Sequence, residues 1–309
     1  MLDDPLIHQM TILLGLVTSA ENGGSAGASA GAGTGVGANG GDWREALGDA
    51  AWARANAHAQ VVITATGLAA WAQLSRALSA AAVEVDAVAG YSVGEVAACA
   101  AAGVFSADDA IALARRRAAL MDEAGRQAAG GLCGVTGLSS AALEPLLTGS
   151  PVSIAIRNGE DSVVLGGPLE ALDRVEAIAA ARGARCTRLA VAVASHTPLM
   201  RDAAEGFDAA LACVPMQAPS RVLIDSRGNR VWRAQDARAG LARQIASTVR
   251  WDEVMDQLAA RGPSCVLEIG GGQALARLWQ SRHPAIPARS ADEFRTLDGV
   301  VDWIARSTA

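Results

Sequence analysis

The sequence predicts an α/β fold in which a large domain built on a parallel β-sheet is interrupted by a small inserted subdomain of order βαββαβ. Three observations predict it. A short apolar run from Val83 to Ala89 passes through Gly90-Tyr91-Ser92-Val93-Gly94-Glu95 into an alanine-rich helical run, Val96 to Gly103, which is a strand-turn-helix unit. Between residues 129 and 192 the pattern changes to short strands alternating with short helices. After residue 193, longer helices again alternate with buried strands, as in a parallel sheet covered by helices.

In chain order, Ile7, Met10, Leu13, Leu14 and Val17 recur at helical spacing and predict an amphipathic helix over 5–20, although Ile12 to Val17 also fits a short strand. Asn22 to Gly41 holds nine glycines in twenty residues and predicts a flexible linker. Within it, Gly35-Val36-Gly37-Ala38-Asn39-Gly40 matches a GxGxxG fingerprint only formally, because that motif must leave a strand directly and open a helix. Helices are predicted from Trp43 to Ala55, from His58 to Leu78, and from Asp108 to Glu123 with Ser106 as the cap. Then come a strand at Gly131 to Leu138, a helix at Ser140 to Leu147, strands at Val152 to Arg157 and Asp161 to Gly166 joined across Asn158-Gly159-Glu160, a helix at Leu169 to Arg182 and a strand at Cys186 to Val191. That order is the ferredoxin-like split motif, so 129–192 is expected as a small subdomain within a large domain made of 1–128 and 193–309. Helices near 198–212, 237–247 and 251–261 and strands at Val222 to Ile224 and Cys265 to Ile269 complete the large domain.

Composition narrows the function classes. A net charge of −6 with no block of lysine or arginine argues against a nucleic-acid partner or an anionic membrane surface. Acidic Asp3 and Asp4 stand where a secretion signal carries positive charge, and Ala55 to Ser75 is too polar to span a membrane, so a cytoplasmic protein is expected. Cys99, Cys133, Cys186, Cys213 and Cys265 are scattered without CxxC spacing, which suits buried thiols better than metal ligands or a disulfide frame.

Chemistry centres on Ser92. Glycines on both sides permit the sharp turn that lifts a hydroxyl clear of a sheet, and the N–H of Val93 at the start of the next helix is placed to hold an oxyanion. The plainer alternative is a tight turn whose serine caps the helix. A serine nucleophile needs a base. Of His8, His58, His196 and His283, only His196, in Ser195-His196-Thr197-Pro198, follows a strand and opens a helix, where a loop residue can face a neighbouring elbow.

These features together resemble the malonyl-CoA:acyl carrier protein transacylase family, which includes the acyltransferase domains of fatty acid and polyketide synthases. The motifs that carry the resemblance are GYSVGE at 90–95, ARRRAALMDE at 114–123, RNGEDSVVLGG at 157–167, VASH at 193–196, ARQIASTVRW at 242–251 and LEIGGGQAL at 267–275, and it spans about residues 43–280. It implies a hydrolase-like large domain with a ferredoxin-like insertion. It also implies Ser92 as the acylated nucleophile, His196 as its base, and Gln244 as the residue whose backbone carbonyl orients the histidine. Arg117 aligns with the arginine that holds the malonyl carboxylate. A planar guanidinium can grip a carboxylate with two parallel hydrogen bonds, whereas Arg115 and Arg116 are expected on the solvated face of the helix.

Two departures bear on the finer assignment. Tyr91, the only tyrosine, stands where the family usually has histidine; together with Arg289 to Arg295 this most resembles the epsilon subunit of malonate decarboxylase, which implies a dedicated carrier protein and other decarboxylase subunits as partners. Nothing before residue 43 matches the family's N-terminal strand and GQG loop, which carries the second oxyanion donor. A sheet short of one strand, with an exposed apolar edge, and slow transfer are therefore expected. The expected reaction is a two-step transfer of malonyl from malonyl-CoA through Ser92 to a carrier thiol, without metal or cofactor. Three alternatives stay open: a malonyl transferase of fatty acid or polyketide synthesis, a thioesterase or hydrolase using Ser92, Glu268 and His283, and a non-catalytic subunit.

Overall fold

The computed structural model describes residues 48–127 and 129–308. The helix expected over 5–20, the glycine-rich stretch 22–41 and its GxGxxG match lie outside these. The first described elements are α1 (Ala50–Arg54), capped by Asp49, and α2 (Asn56–Ala80). By length and composition α2 is, among the described residues, the one helix long and apolar enough to cross a membrane. It nevertheless buries Gln60 and Thr64 along with its apolar side chains, as a core helix does.

Strand β1 (Ala87–Ala89) leads into α3 (Gly94–Ala101) and α4 (Ala107–Gln127). Ser106 Oγ caps α4 by accepting from the Asp109 amide at 3.1 Å. Val88 and Ala89 are fully buried, as a strand covered on both faces requires. β1 runs parallel to β6 (Val222–Ile224), pairing Ala87 with Val222 and Ala89 with Ile224, and β7 (Arg230–Val231) returns antiparallel to β6. A second parallel pair joins β9 (Val266–Glu268) to β10 (Ala288–Ser290). Among the described residues these pairs form two sheets, not one continuous parallel sheet. A cavity of about 320 Å³ lies between β1 and β9, lined by Trp71, Ala87, Val266 and Ile304 among others.

The inserted unit comprises β2 (Gly130–Thr136), α5 (Ser140–Leu147), β3 (Ser153–Gly159), β4 (Ser162–Pro168), α6 (Leu169–Ala181) and β5 (Arg185–Arg188). Its antiparallel strands lie in the order β5-β2-β4-β3, the 4-1-3-2 arrangement of a ferredoxin-like βαββαβ motif. Strand alternation assigns each face: Cys133, Val135, Val163 and Leu165 pack with Leu172 and Val175 of α6 in a core of their own, while Leu132, Ile156 and Val164 join the main core. A fifth strand, β8 (Val249–Arg250), adds parallel to β3 through Ile156↔Val249, tying the small sheet to the chain beyond residue 192.

The remaining elements are α7 (Arg201–Leu211), preceded by a 3₁₀ turn at Pro198–Met200, α8 (Ala234–Gln244), α9 (Trp251–Ala259), α10 (Ala274–Arg282) and α11 (Leu297–Thr308). Several expectations need correction. The β3–β4 turn is at Glu160–Asp161, because β3 runs on to Gly159, which pairs with Ser162 across a register shift at Asn158. Strand β5 ends at Arg188, short of Val191, and α8 starts and ends three residues before the predicted 237–247. Strands β7, β8 and β10 and helices α10 and α11 were not expected; β7 and β8, of two residues each, hold too little periodicity to signal a strand. All five cysteines are free, but only Cys99 and Cys133 are buried and Cys213 is exposed.

Candidate active site

Strand β1 ends at Ala89 and α3 begins at Gly94, so four residues make the whole turn. Gly90 is obligatory there: a Cβ would lie 2.2 Å from the Gly94 carbonyl group and the Glu95 amide. Ser92 takes φ +53°, a left-handed conformation that costs a non-glycine residue about 1–3 kcal/mol and persists only where packing enforces it. The turn closes through Gly94 N–H to Tyr91 O at 2.9 Å and Glu95 N–H to Ser92 O at 3.0 Å. Val93, fully buried, occupies the N-cap of α3, where the first amides of a helix have no partner within it.

Ser92 Oγ lies 2.8 Å from His196 Nε2. The imidazole is fixed from behind by Nδ1, which donates to the Gln244 backbone carbonyl at 2.7 Å, so Nε2 is left to accept the serine proton. That carbonyl is available because Gln244 ends α8. His196 also sits at positive φ, +61°, with its N–H bonded to Ile245 O at 2.8 Å. The small subdomain packs directly on this loop: a Cβ on Gly166 of β4 would lie 2.7 Å from Thr197 Cγ2. Burial, and then the Arg117 charge, push the His196 pKa down to about 3, so the ring is neutral at ordinary pH.

Arg117 lies on α4 with 1% of its surface exposed, while Arg115 and Arg116 face solvent. Its Nη1 donates to Gln60 Oε1 at 2.7 Å and its Nη2 to Gln244 Oε1 at 3.0 Å. Among the described residues no carboxylate is within ion-pair distance of it. Burial lowers its pKa to about 10, which leaves it cationic. Arg117, Ser92 and His196 line one cavity of about 30 Å³, shared with Gln60, Met121 and Val193.

Three features of the site were not singled out in the sequence. Gln60 is one, although a glutamine on an apolar helix face was its visible signal. Glu95 is the second: it is buried and accepts from Gln244 Nε2, which also donates to Ser92 O at 2.9 Å. Burial, and then Asp225, raise its pKa to about 8. The third is the link that Tyr91 makes across the two subdomains: its hydroxyl donates to Asn158 Oδ1 of β3 at 3.0 Å, and its ring meets Trp251 edge-on at 5.2 Å.

The residues of the hydrolase alternative are elsewhere. Glu268 accepts the Leu275 and Ala276 amides at 3.3 and 2.7 Å, holding the start of α10, and His283 Nε2 is 3.1 Å from Asp256 Oδ1. Neither lines the Ser92 cavity. His58 stacks on Trp52 with ring centroids 4.1 Å apart.

Residues 42–281 match the acyl transferase domain family model. A malonyl CoA-acyl carrier protein transacylase of Mycobacterium tuberculosis is 35% identical over 241 residues, covering 78% of this chain and 79% of that protein. A polyketide biosynthesis protein, ThaF, of Burkholderia thailandensis is 33% identical over 224 residues, and there the match spans 71% of this chain but only 19% of the relative. The crystal structure of MCAT from M. tuberculosis superposes with a TM-score of 0.74 at 31% identity, covering 84% of this chain and 89% of that one. A malonyl-transacylase in complex with a type II polyketide synthase acyl-carrier protein gives 0.73 at 27% identity, covering 84% and 88%. With a serine elbow, a histidine on its hydroxyl and a match running through both, the chain belongs to the acyl transferase domain family.

Proposed function

We propose that the protein transfers a malonyl group from malonyl-CoA to the thiol of an acyl carrier protein through a Ser92 ester. The observation that carries this reading is a cationic Arg117, buried and bonded among the described residues only to amide oxygens, on the same small cavity as the Ser92–His196 pair. A buried charge without a counter-charge is costly, and a ligand carboxylate would supply one. The relatives named as malonyl transacylases, and the one solved with its carrier, support the substrate and the partner.

In this reading His196 Nε2 takes the Ser92 proton as Oγ attacks the thioester carbonyl. The tetrahedral oxyanion meets the Val93 N–H, and the Gln244 carbonyl steadies the imidazolium through Nδ1. The imidazolium then returns its proton to the departing CoA sulfur. In the second half the carrier thiol gives its proton to His196 as its sulfur attacks the ester carbonyl, and the imidazolium returns that proton to the departing Ser92 Oγ, leaving the acyl group on the carrier and Ser92 free. Each step is acyl transfer between oxygen and sulfur and needs no redox partner.

The finer assignment we propose is the epsilon subunit of malonate decarboxylase, supported by Tyr91 in the GYSVGE elbow and by the Arg289 to Arg295 segment. Intact-mass analysis after mixing with malonyl-CoA tests the reading: one malonyl group should appear and map to Ser92, and Ser92→Ala should abolish it. A label on a cysteine, or one that survives the substitution, would overturn the covalent assignment. Discharge by the malonate decarboxylase carrier but not by a fatty acid synthesis carrier is the result expected for the finer assignment, and the reverse preference would refute it.

A further inference from the structure

Arg117 stands in the middle of a chain of side chains with a carboxyl group at each end. On one side its Nη1 donates to Gln60 Oε1, Gln60 Nε2 donates to Asn56 Oδ1 at 2.7 Å, and Asn56 Nδ2 donates to Asp122 Oδ1 at 2.9 Å. On the other, Nη2 donates to Gln244 Oε1, and Gln244 Nε2 donates to Glu95. Each amide is turned by the acceptor behind it. With its N–H₂ held by an oxygen, Gln60 or Gln244 can offer Arg117 only its carbonyl.

We infer that Glu95 is a positioning residue for acyl-group selection: by holding the Gln244 amide it aims Arg117, and because an amide stands between them the guanidinium is oriented without being neutralised. A carboxylate placed directly on Arg117 would form a closed ion pair and compete with the substrate carboxylate. Spaced by an amide on each side, the guanidinium keeps its charge for the ligand. The same Gln244 accepts from His196 through its backbone, so Glu95 tethers the residue that serves both halves of the site.

Glu95 acts in this arrangement as a neutral acceptor. The charged or titratable groups around it are Asp225 from the loop after β6, Arg117 from α4 and Cys99 on its own helix, and it also hydrogen-bonds with Ser226. Burial and Asp225 raise its pKa to about 8, so it carries its proton at neutral pH and loses it as pH rises through that value. Ionisation then offsets part of the Arg117 field, and a carboxylated acyl group binds less well.

This inference rests on the carboxylated-acyl reading above, and the test separates the two. Acylation rates of Ser92 are measured with malonyl-CoA and acetyl-CoA between pH 6 and 9, where Glu95 titrates and Arg117 keeps its charge, for the wild type, Gln60→Glu, Glu95→Gln and Glu95→Ala. In Gln60→Glu the new carboxylate meets Arg117 directly and should raise KM for malonyl-CoA by about tenfold or more, with acetyl-CoA changed less than about threefold. Glu95→Ala should raise the malonyl-CoA KM selectively, and Glu95→Gln should restore it at pH 7. The wild-type malonyl-CoA KM should climb above pH 8, and Glu95→Gln should remove the climb. Equal losses for both thioesters in folded Gln60→Glu and Glu95→Gln, or a climb that persists in Glu95→Gln, would overturn the positioning role. A wild type that prefers acetyl-CoA would instead overturn the carboxylated-acyl reading.

Discussion

Replacing Arg117 with alanine removes the cation that lines the Ser92 cavity and leaves its partners, Gln60 and Gln244, in place. A malonyl carboxylate about 4 Å from the guanidinium gains about 4 kcal/mol at an effective dielectric of about 20. Truncating one partner of a buried, hydrogen-bonded charge pair costs about 2–5 kcal/mol. At about 1.4 kcal/mol per decade, kcat/KM for malonyl-CoA should fall by about 30- to 4000-fold. Acetyl-CoA has no carboxylate to lose and should change by less than about threefold, so the preference narrows or inverts. The assay is the rate of Ser92 ester formation followed by quenched-flow mass analysis with each thioester, on protein checked for an intact fold. A second readout comes with it: Arg117 is, after burial, the main cause holding the His196 pKa down, so the substitution should shift the acid limb of the rate profile upward. Equal losses for malonyl and acetyl would show that Arg117 only supports the fold, and the carboxylate argument would fail.

Further predictions concern the base, the elbow and the subdomain link. In the proposed mechanism the neutral His196 imidazole is the base, and with its pKa near 3 the acylation rate should stay flat from pH 7 to pH 5, declining only as pH falls toward that value; an acid limb near 6.5 in stopped-flow data would contradict the buried geometry. The same depressed pKa means that the unfolded chain binds more protons below about 6.5, so the His196 contribution to stability should weaken between pH 7 and 5, seen as a lower Tm that His196→Phe largely removes. Gly90→Ala drives a Cβ into the backbone at Gly94 and Glu95; a loss of about 1–3 kcal/mol in denaturant titration with collapse of acylation is expected, and near-wild-type activity would show the turn is looser than described. Tyr91→Phe deletes the bond to Asn158 and should cost about 1 kcal/mol, a Tm drop of roughly 2–4 °C, while the edge-on contact with Trp251 persists.

Local chemistry writes several of these features directly into the chain. Gly90 and Gly94 around Ser92 mark the elbow because no other residue fits the first of those positions. The seven-residue strands β2 and β4 alternate between two cores, so the βαββαβ order was legible from short strands with period-two patterning. His196 was legible as a loop histidine ahead of a helical turn, although the strand expected to lead into it ends at Arg188, and Arg117 from the motif it shares with a known family. Tertiary structure alone decided the rest. Strand β8 is two residues long, and nothing local shows that it pairs with β3 across the subdomain boundary. The bonds that orient Arg117 join residues 57 and 127 positions apart, and Glu95 meets Gln244 across 149. Such contacts have no period and no turn chemistry. They exist because α2, α4 and α8 converge on the elbow, where burial leaves each polar group only its neighbours to satisfy it.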